Sequence, residues 1–376
     1  MCRSFLCILK KKVIICSRNT MLSSLTAMYH IVYDILDNYR RRDTMQTEVM
    51  EKCDMLVENR NIIYKGFMLE DSLMQVLAAM SFVDCGEIAD VKAIKRCRKI
   101  LRKKHSAFSY LRGNNELFIS SKMALSDDPE KYLDDITETY EKLQVGKFFG
   151  STYRVLSALI ICDAGKADES DKIIEKTEEL LNGMKEAHPF LTNDEDTCLA
   201  VLLAMTEKSS KDILSELEST YLEIKNEFML YKNSAYSLCQ VLTTLDGAYK
   251  RKCEKTIALF DAFKEAGTKY GKEYELASLG LLTNIQMDVK DIVAEVIGTA
   301  EYLKNKKGFN FWYMTKQTRL MFAAMLVSES YTGDSATSEA SVASSTVARV
   351  IAQQAAMFVV LVSSSAASIT TSTSSN

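Results

Sequence analysis

The sequence has very little proline and glycine, the two residues that most often end or bend secondary structure. It contains 2 prolines and 14 glycines among 376 residues. A fold built from many short strands needs turn residues at most of its connections. Their scarcity argues against an all-β or α/β protein and predicts an all-α fold, in which long helices are joined by short polar loops.

Sequence motifs of the common enzyme classes are also missing. We find no G-x-S-x-G, no Walker loop, no dinucleotide-binding G-x-G-x-x-G and no H-E-x-x-H. The ten cysteines form no C-x-x-C pair, and the three histidines, His30, His105 and His188, are scattered. We therefore predict no metal site, no cofactor and no catalytic residue, and a non-enzymatic protein is favoured over an enzyme.

The charge balance gives no sign of a general attraction to nucleic acid or to anionic membranes. The formal net charge is -3, and a content of 47% hydrophobic and 26% charged residues is ordinary for a folded soluble protein. Cys162, Cys198 and Cys239 lie inside apolar runs, where a thiol behaves as a small hydrophobic group. Reduced cysteines in a cytoplasmic protein are therefore the expectation.

The chain does contain a repeated block of two helical segments, which returns roughly every 35 to 45 residues. The first segment of each block is charged and amphipathic, and the second is an apolar run. Neither buries its apolar surface alone, so we predict an α-solenoid-like array of about six or seven antiparallel helix pairs, with a compact helical bundle as the alternative. The apolar runs are Ser72–Met80, Leu117–Leu125, Tyr153–Ile161, Cys198–Met205, Tyr236–Leu245, Leu276–Leu282 and Arg319–Leu326.

Composition divides the chain into three parts. Residues 1–20 form an N-terminal extension that fits a start-site error, with Met21 as the native start. Residues 21–327 form the helical-repeat domain. Residues 328–376 are a low-complexity tail rich in Ser, Thr and Ala, expected to be partly disordered with one helix. The apolar stretch Ala355–Val362 in this tail is far shorter than the ~20 residues that span a bilayer, so no transmembrane segment is predicted.

A polar cluster at His188 is the first candidate site. Thr192, Asp194, Glu195 and Asp196 follow it closely, and imidazole with carboxylates at a loop-to-helix junction can hold a cation or transfer a proton. The alternative is structural and is favoured: Thr192 and Glu195 have the spacing of a capping box, and the other acids suit a first helical turn.

The segment Phe108–Phe118 is the second candidate site. Arg112 offers a planar fork for carboxylate or phosphate, and Tyr110 and Asn114 lie beside it. The favoured alternative is a helix end with Gly113 in the left-handed conformation and Arg112 pairing locally.

The basic run Lys92–His105 raises the question of nucleic-acid binding. On a helix, Ile94, Cys97, Ile100 and Leu101 would form an apolar stripe, with lysines and arginines over the remaining surface. Such a face can bind phosphates. No recognition motif accompanies it, and a solvated helix face is the favoured interpretation.

The only tryptophan, Trp312, lies in the aromatic segment Lys306–Arg319. Aromatic residues beside Lys and Arg can anchor a protein interface. A place in the last core layer is the favoured interpretation, because tryptophan is buried so often.

Several of these segments resemble an uncharacterised bacterial family, domain of unknown function 4003. The resemblance rests on Phe108–Asn114, on Asp127–Glu130 followed by Tyr140–Leu143, and on His188–Asp196 with Cys198–Met205; the segment Ile351–Met357 is similar as well. It covers the chain from about Met21 to the C-terminus. The resemblance implies a helical bacterial protein and carries over no catalytic or binding residue.

The leading hypothesis is a non-enzymatic scaffold whose concave face binds a protein or peptide partner. The alternative is an enzyme or small-molecule sensor with a site near Arg112 and His188. Nucleic-acid binding through Lys92–His105 ranks third. The candidate contact residues are Tyr110, Arg112, Asn114, His188, Asp194, Asp196 and Trp312.

Overall fold

The structure, a computed structural model, describes residues 47–333, and every regular element in that range is a helix. The predicted all-α fold class is confirmed. The described residues from Val49 onwards belong to one compact unit. The predictions for residues 1–20 and for the tail beyond residue 333 lie outside the described residues.

The helices follow one another as antiparallel pairs joined by short loops. The first helices of the pairs are α1 (47–66), α3 (Val91–Lys104), α5 (Pro129–Gln144), α7 (Ser170–Ala187), α9 (Ser210–Ile224), α11 (Tyr249–Glu265) and α12 (Val289–Lys304). The second helices are α2 (Ser72–Asp84), α4 (Glu116–Leu125), α6 (Thr152–Asp163), α8 (Thr197–Ala204), α10 (Lys232–Thr244), the 3₁₀ helix Leu276–Asn284 and α13 (Lys316–Gly333).

The first helices are amphipathic and bury one face. In α5, the Asp128 side chain accepts a hydrogen bond from the backbone N–H of Lys131, and Pro129 occupies the first helical position. Leu133, Ile136 and the other apolar positions of this helix then recur at helical spacing and face the core. The outer face carries the charges.

The second helices are buried over most of their length. Every residue of α8 is buried, as are all but the last residue of the 3₁₀ helix Leu276–Asn284. A 3₁₀ helix of this length is uncommon. This 3₁₀ helix packs closely against α10. A Cβ atom added to Gly280 would be only 3.0 Å from Cγ1 of Val241. The repeated apolar runs of the sequence are therefore the core of the molecule.

Most neighbouring pairs contact each other through both their first and their second helices. The first and last described pairs also meet: the Tyr302 hydroxyl and the Lys306 ammonium both donate to the Asp54 carboxylate of α1, at 2.8 Å each. The predicted α-solenoid-like array and its alternative, a compact helical bundle, both stay predictions.

The last helix is longer than the sequence indicates. We predicted the end of the helical domain at residue 327, but α13 continues to Gly333, and Ser328 and Ser330 are buried. The Ser328 hydroxyl donates to the Leu281 carbonyl at 3.1 Å. A serine that satisfies its hydroxyl on a backbone carbonyl fits inside a packed helix, which composition alone does not reveal. The described helix therefore runs six residues past the predicted boundary.

None of the described helices combines the length and the apolar character that crossing a bilayer requires. The cysteines in this part of the chain are all free thiols, and Cys198 and Cys239 are fully buried. Burial raises the pKa of Cys162 to about 12, which keeps its thiol protonated and unreactive.

Candidate functional site

The loops that join the first helix of each pair to the second lie together at one end of the pairs. A Cβ on Gly150 would be 2.3 Å from the Tyr110 ring, so the loop before α4 contacts the loop before α6. Ser151 donates in turn to Asp194 in the loop before α8. Similar contacts follow along the later pairs: Lys272 lies over the Tyr231 ring, Lys316 at the start of α13 donates to Thr268, and Lys307 lies over the ring of Tyr64 near the end of α1.

Most of the large apolar side chains that are exposed on the described surface belong to these loops. Phe108, Phe148 and Phe190 are 96%, 98% and 95% exposed. We call the whole set the apolar rim. It consists of Met68, Leu69, Phe108, Tyr110, Val145, Phe148, Phe149, Phe190, Met229, Leu230, Phe311, Trp312 and Tyr313.

Trp312 belongs to this rim and is 82% exposed. The favoured interpretation of the sequence, a place in the last core layer, is therefore wrong. Phe309 and Met314 fill the core position of that loop instead. Trp312 packs against Phe311, at 4.7 Å between ring centroids. The exposed position agrees with the alternative that we kept open, an anchor at an interface.

Arg112 lies in a buried ionic cluster whose centre is Glu116, the first residue of α4. Arg98 and Arg102 donate to the Glu116 carboxylate at 2.7 Å each, and Arg112 donates to it at 3.2 Å. Burial acts to raise the pKa of Glu116, but the hydrogen bonds from Arg102 and Arg98 outweigh it and lower the pKa to about 2. The Glu116 cluster is ionised and internally satisfied.

Of the other residues of interest in this segment, Gly113 and Tyr110 have structural roles and Asn114 faces solvent. Gly113 has a φ of +66°, the left-handed conformation that the sequence predicts, but it begins a 3₁₀ turn and does not end a helix. Tyr110 packs against Gly150, and its carbonyl accepts a hydrogen bond from Asn115 at 2.8 Å. Asn114 is exposed.

The junction before α8 is capped, but by other residues than the sequence indicates. We predicted a capping box of Thr192 and Glu195. The structure has Asn193 as the cap, with its side chain accepting from the Glu195 N–H and with Asp196 accepting from the Asn193 N–H. The predicted pair is wrong because the helix begins with a 3₁₀ turn at Asp194, one residue later than the pattern implies.

The two acids of this junction have different environments. Asp194 is half-exposed and accepts hydrogen bonds from Arg154, at 2.8 Å, and from Ser151. Asp196 is buried and accepts from Gln240 and from the Asn193 backbone, with no cation beside it. Burial raises the pKa of Asp196 to about 6, and the two hydrogen bonds only partly oppose this shift.

His188 lies on the outer side of the same junction. Its Nε2 is 2.6 Å from Oε2 of Glu218 on α9. Its ring meets Tyr221 and Tyr236 edge-to-face, at 4.8 Å and 5.2 Å between centroids. The arrangement joins α7, α9 and α10.

The structure does not bring Arg112 and His188 together. The partners of Arg112 are Glu116 and the His105 carbonyl, whereas His188 contacts Glu218 and two tyrosines. Within residues 47–333, no group of three or more His, Cys, Asp and Glu side chains has the geometry to hold a metal ion. The alternative hypothesis of an enzyme or sensor site near these two residues gains no support from their positions.

The profile of one family, described as Protein of unknown function (DUF4003), matches residues 61–356. The chain belongs to this family. The match confirms the resemblance noted in the sequence, although it begins at residue 61 and not near Met21. Searches of curated proteins and of solved structures find no match.

The basic run of this DUF4003 member forms helix α3 as predicted. Ile94, Cys97 and Leu101 are buried, and Ile100 is half-buried against the core. The cations divide into two groups. Arg98, Arg102 and Lys104 form ion pairs. Five exposed side chains, Lys92, Lys95, Arg96, Lys99 and Lys103, have no acidic partner among the described residues, and Lys95 lies over the Phe67 ring.

The sequence-based reasoning missed the residues at the centres of these clusters. Glu116 had one usable signal: it is a lone acid at the start of an apolar run, four residues after Arg112. Glu218 and Gln240 had no such signal, because each reaches its partner from a different helix pair. Contacts between pairs depend on the packing, which a single sequence does not display.

Proposed function

We propose that this protein is a non-enzymatic scaffold that binds a protein partner through its apolar rim. The observation that carries the proposal is the collection of exposed aromatic and large aliphatic side chains at one end of the helix pairs. The described ionic clusters have internal structural partners, and none offers a catalytic constellation. The rim replaces the concave face that the sequence led us to expect as the binding surface.

Exposed apolar groups of this kind favour a contact that removes them from water. Burying an apolar surface contributes about 25 cal/mol per Å². Aromatic residues and methionine are also the types enriched at the centres of protein interfaces. Phe148 and Phe149 are adjacent and almost fully exposed, and Phe311 and Trp312 form a second such pair. Two aromatic pairs on neighbouring parts of one surface suit a protein partner with matching apolar pockets.

The charges near the rim favour a protein over a lipid surface. Exposed Lys147 and Lys307 lie in the same set of loops as exposed Glu227 and Glu273. Carboxylates at this position would be repelled by an anionic bilayer, whereas a protein partner can complement both signs of charge.

The test compares capture by full-length variants of the rim with capture by the wild-type chain. The variants are Phe148→Ser combined with Phe149→Ser, and separately Trp312→Ser. The control is Ile88→Ser, which removes an exposed apolar residue from the loop between α2 and α3, at the opposite end of the pairs. All are exposed positions, so we expect their thermal unfolding midpoints to remain close to that of the wild type.

We expect a stoichiometric protein partner to be retained by the wild type and by Ile88→Ser. Both rim variants should bind the purified partner at least about tenfold more weakly, the loss that truncating an interface anchor produces. Unchanged binding by the rim variants would refute the proposal. Rim-dependent sedimentation with phosphatidylcholine vesicles, in the absence of any partner, would move the assignment to a lipid surface.

A second candidate function rests on the exposed cations of α3. Lys92, Arg96, Lys99 and Lys103 follow one side of the helix and have no acidic partner in the described part of the chain. A row of unpaired cations supports nucleic-acid binding, whose affinity falls steeply with salt. A gel shift at low salt that disappears in the fourfold Gln variant would support this candidate. An absent or salt-insensitive shift would dismiss it.

A further inference from the structure

Arg60 of α1 is a buried cation without a carboxylate partner. It is 1% exposed, and its Nε atom has no hydrogen-bond acceptor among the described residues. Its one hydrogen bond in this part of the chain goes from Nη1 to the Asn61 side chain at 3.5 Å, the outer limit for such a bond. An arginine stays charged when buried, and removing that charge from water is costly unless oxygen acceptors replace the water.

The groups around Arg60 do not supply those acceptors. Its guanidinium lies over the rings of Tyr64 and Tyr313, with Cζ 4.9 Å and 5.1 Å from their centroids. The backbone of Gly308 presses against it, because a Cβ there would be 2.5 Å from Cζ. Cation–π contacts offset only part of the cost of removing a guanidinium from water. They act through the ring faces and accept no N–H hydrogen bond in the guanidinium plane.

The ionic groups near Arg60 add positive charge around its guanidinium. Lys307 Nζ is 5.9 Å from the centroid of the same Tyr64 ring that Arg60 covers. The Asp54 carboxylate, which reaches the same junction from α1, is already bound by Lys306 and Tyr302. Two cations therefore share one aromatic ring, with no described carboxylate between them.

Other buried and partly buried arginines show how this chain ordinarily satisfies a guanidinium. Arg98 is paired with Glu116 and Glu70, and Arg154 with Asp194. Arg319, which belongs to the same end of the chain as the Gly308 loop, donates to the carbonyls of Phe309 and Met314 at 2.9 Å and 3.3 Å. Arg60 departs from this pattern within the described residues.

We infer that the junction between α1 and the loop of residues 305–315 binds a small oxyanion, a carboxylate or a phosphate, through Arg60 with Lys307 beside it. A guanidinium presents paired N–H donors that match two oxygens of either group. The exposed ring of Tyr313 covers Arg60, so its rotation would admit the anion. The inference rests on the contacts of Arg60 and is independent of the proposed scaffold function.

The chain provides its own probe for this site. Trp312 is the only tryptophan and directly precedes Tyr313. We would titrate the full-length protein with inorganic phosphate, and separately with acetate, and record tryptophan fluorescence against sodium chloride at equal ionic strength. The variant is Arg60→Met, and the matched control is Arg96→Met, which removes an exposed guanidinium from α3.

We expect a saturable fluorescence change with at least one of the two anions in the wild type and in Arg96→Met. Arg60→Met should weaken the binding at least about tenfold, because a charge-assisted bidentate contact is lost. Tighter binding of phosphate would assign the site to a phosphate-bearing ligand, and tighter binding of acetate to a carboxylate.

Two outcomes would overturn the inference. One is a wild-type response to both anions that does not exceed the chloride response. The other is equal binding by Arg60→Met, which would indicate an adventitious ion only. If Arg60→Met does not fold, Lys307→Met at an exposed position serves in its place. It should weaken the anion response several-fold, and an unchanged response would also refute the site.

Discussion

Glu116 and Asp196 occupy equivalent places in two helix pairs and have opposite electrostatics. Each is a buried acid at the junction of a 3₁₀ turn and a second helix, Glu116 at the start of α4 and Asp196 just before α8. The pKa of Glu116 is lowered to about 2, and that of Asp196 is raised to about 6. Burial acts in the same direction on both, so the difference comes from their neighbours.

The neighbours differ in charge. Three guanidinium groups bind Glu116, whereas Asp196 accepts only from an amide side chain and a backbone N–H. Cations favour the ionised carboxylate, and neutral donors do so too weakly to offset desolvation. The comparison shows that helix position sets where an acid is buried, and that packing against other helices decides whether it is ionised.

The largest effect is expected when Glu116 is neutralised. Glu116→Gln leaves three arginines without their shared carboxylate, and we expect a loss of about 3–5 kcal/mol in the free energy of unfolding, measured by urea denaturation at pH 7. Because the folded pKa lies below the usual 4.5, the wild-type contribution is present above pH 4.5 and is lost as the pH falls toward 2. A loss under about 1 kcal/mol would show that the cluster behaves as a surface pair.

The next largest effect is expected at Asp196 and has the opposite sign, because the substitution should stabilise the protein. Asp196→Asn should raise the free energy of unfolding by about 1–3 kcal/mol at pH 7.5, because the ionised aspartate is destabilised by burial. The new amide can still accept from the Asn193 N–H and donate to Oε1 of Gln240, which has no partner among the described residues.

The pH dependence of that effect provides its check. The folded pKa of about 6 lies above the usual 3.8, so the folded state binds more protons than the unfolded state between these values. Wild-type stability therefore falls as pH rises from 3.8 to 6, and the advantage of Asn should disappear below about pH 4. Unfolding curves at pH 4 and pH 7.5 that show the same difference would contradict this account.

A smaller effect is expected when one of the three arginines is removed. Arg102→Met deletes a guanidinium whose side chain is 49% exposed, while Arg98 and Arg112 remain on Glu116. Solvent screens an exposed partner, so we expect a loss of about 1 kcal/mol in urea denaturation. A loss equal to that of Glu116→Gln would mean that the cluster stabilises the fold only when all three arginines are present.

The smallest effect is expected at an exposed acid that pairs with Lys104 of α3. Glu130 lies 3.9 Å from Lys104 and its side chain is 66% exposed. Glu130→Gln should change the free energy of unfolding by less than about 0.5 kcal/mol, because exposed ion pairs contribute little. This variant is the matched control for Glu116→Gln. A change in the free energy of unfolding as large as that for Glu116→Gln would show that the loss of charge, and not burial, determines the effect of both substitutions.

Much of the local structure was predictable from the sequence. The apolar stripe of α3, the Asp128 cap and the buried second helices follow from helical spacing and capping preferences, which are properties of short segments. The departures from prediction occur where a segment meets other segments. Trp312 is exposed because Phe309 and Met314 fill the core, and α13 extends past residue 327 because Leu281 accepts from Ser328.

The sequence by itself determined the helical class, the alternation of amphipathic helices with more apolar ones, and membership in the DUF4003 family. Only the tertiary structure decided that the loop aromatics share one end, that Glu116 collects three arginines and that Arg60 is buried without an acid. Helix formation depends on neighbours three or four residues apart, so composition and spacing reveal it. Charge pairing and exposure depend on residues about 30 to 250 positions away, such as Tyr302 and Asp54, whose approach is set by how the pairs pack.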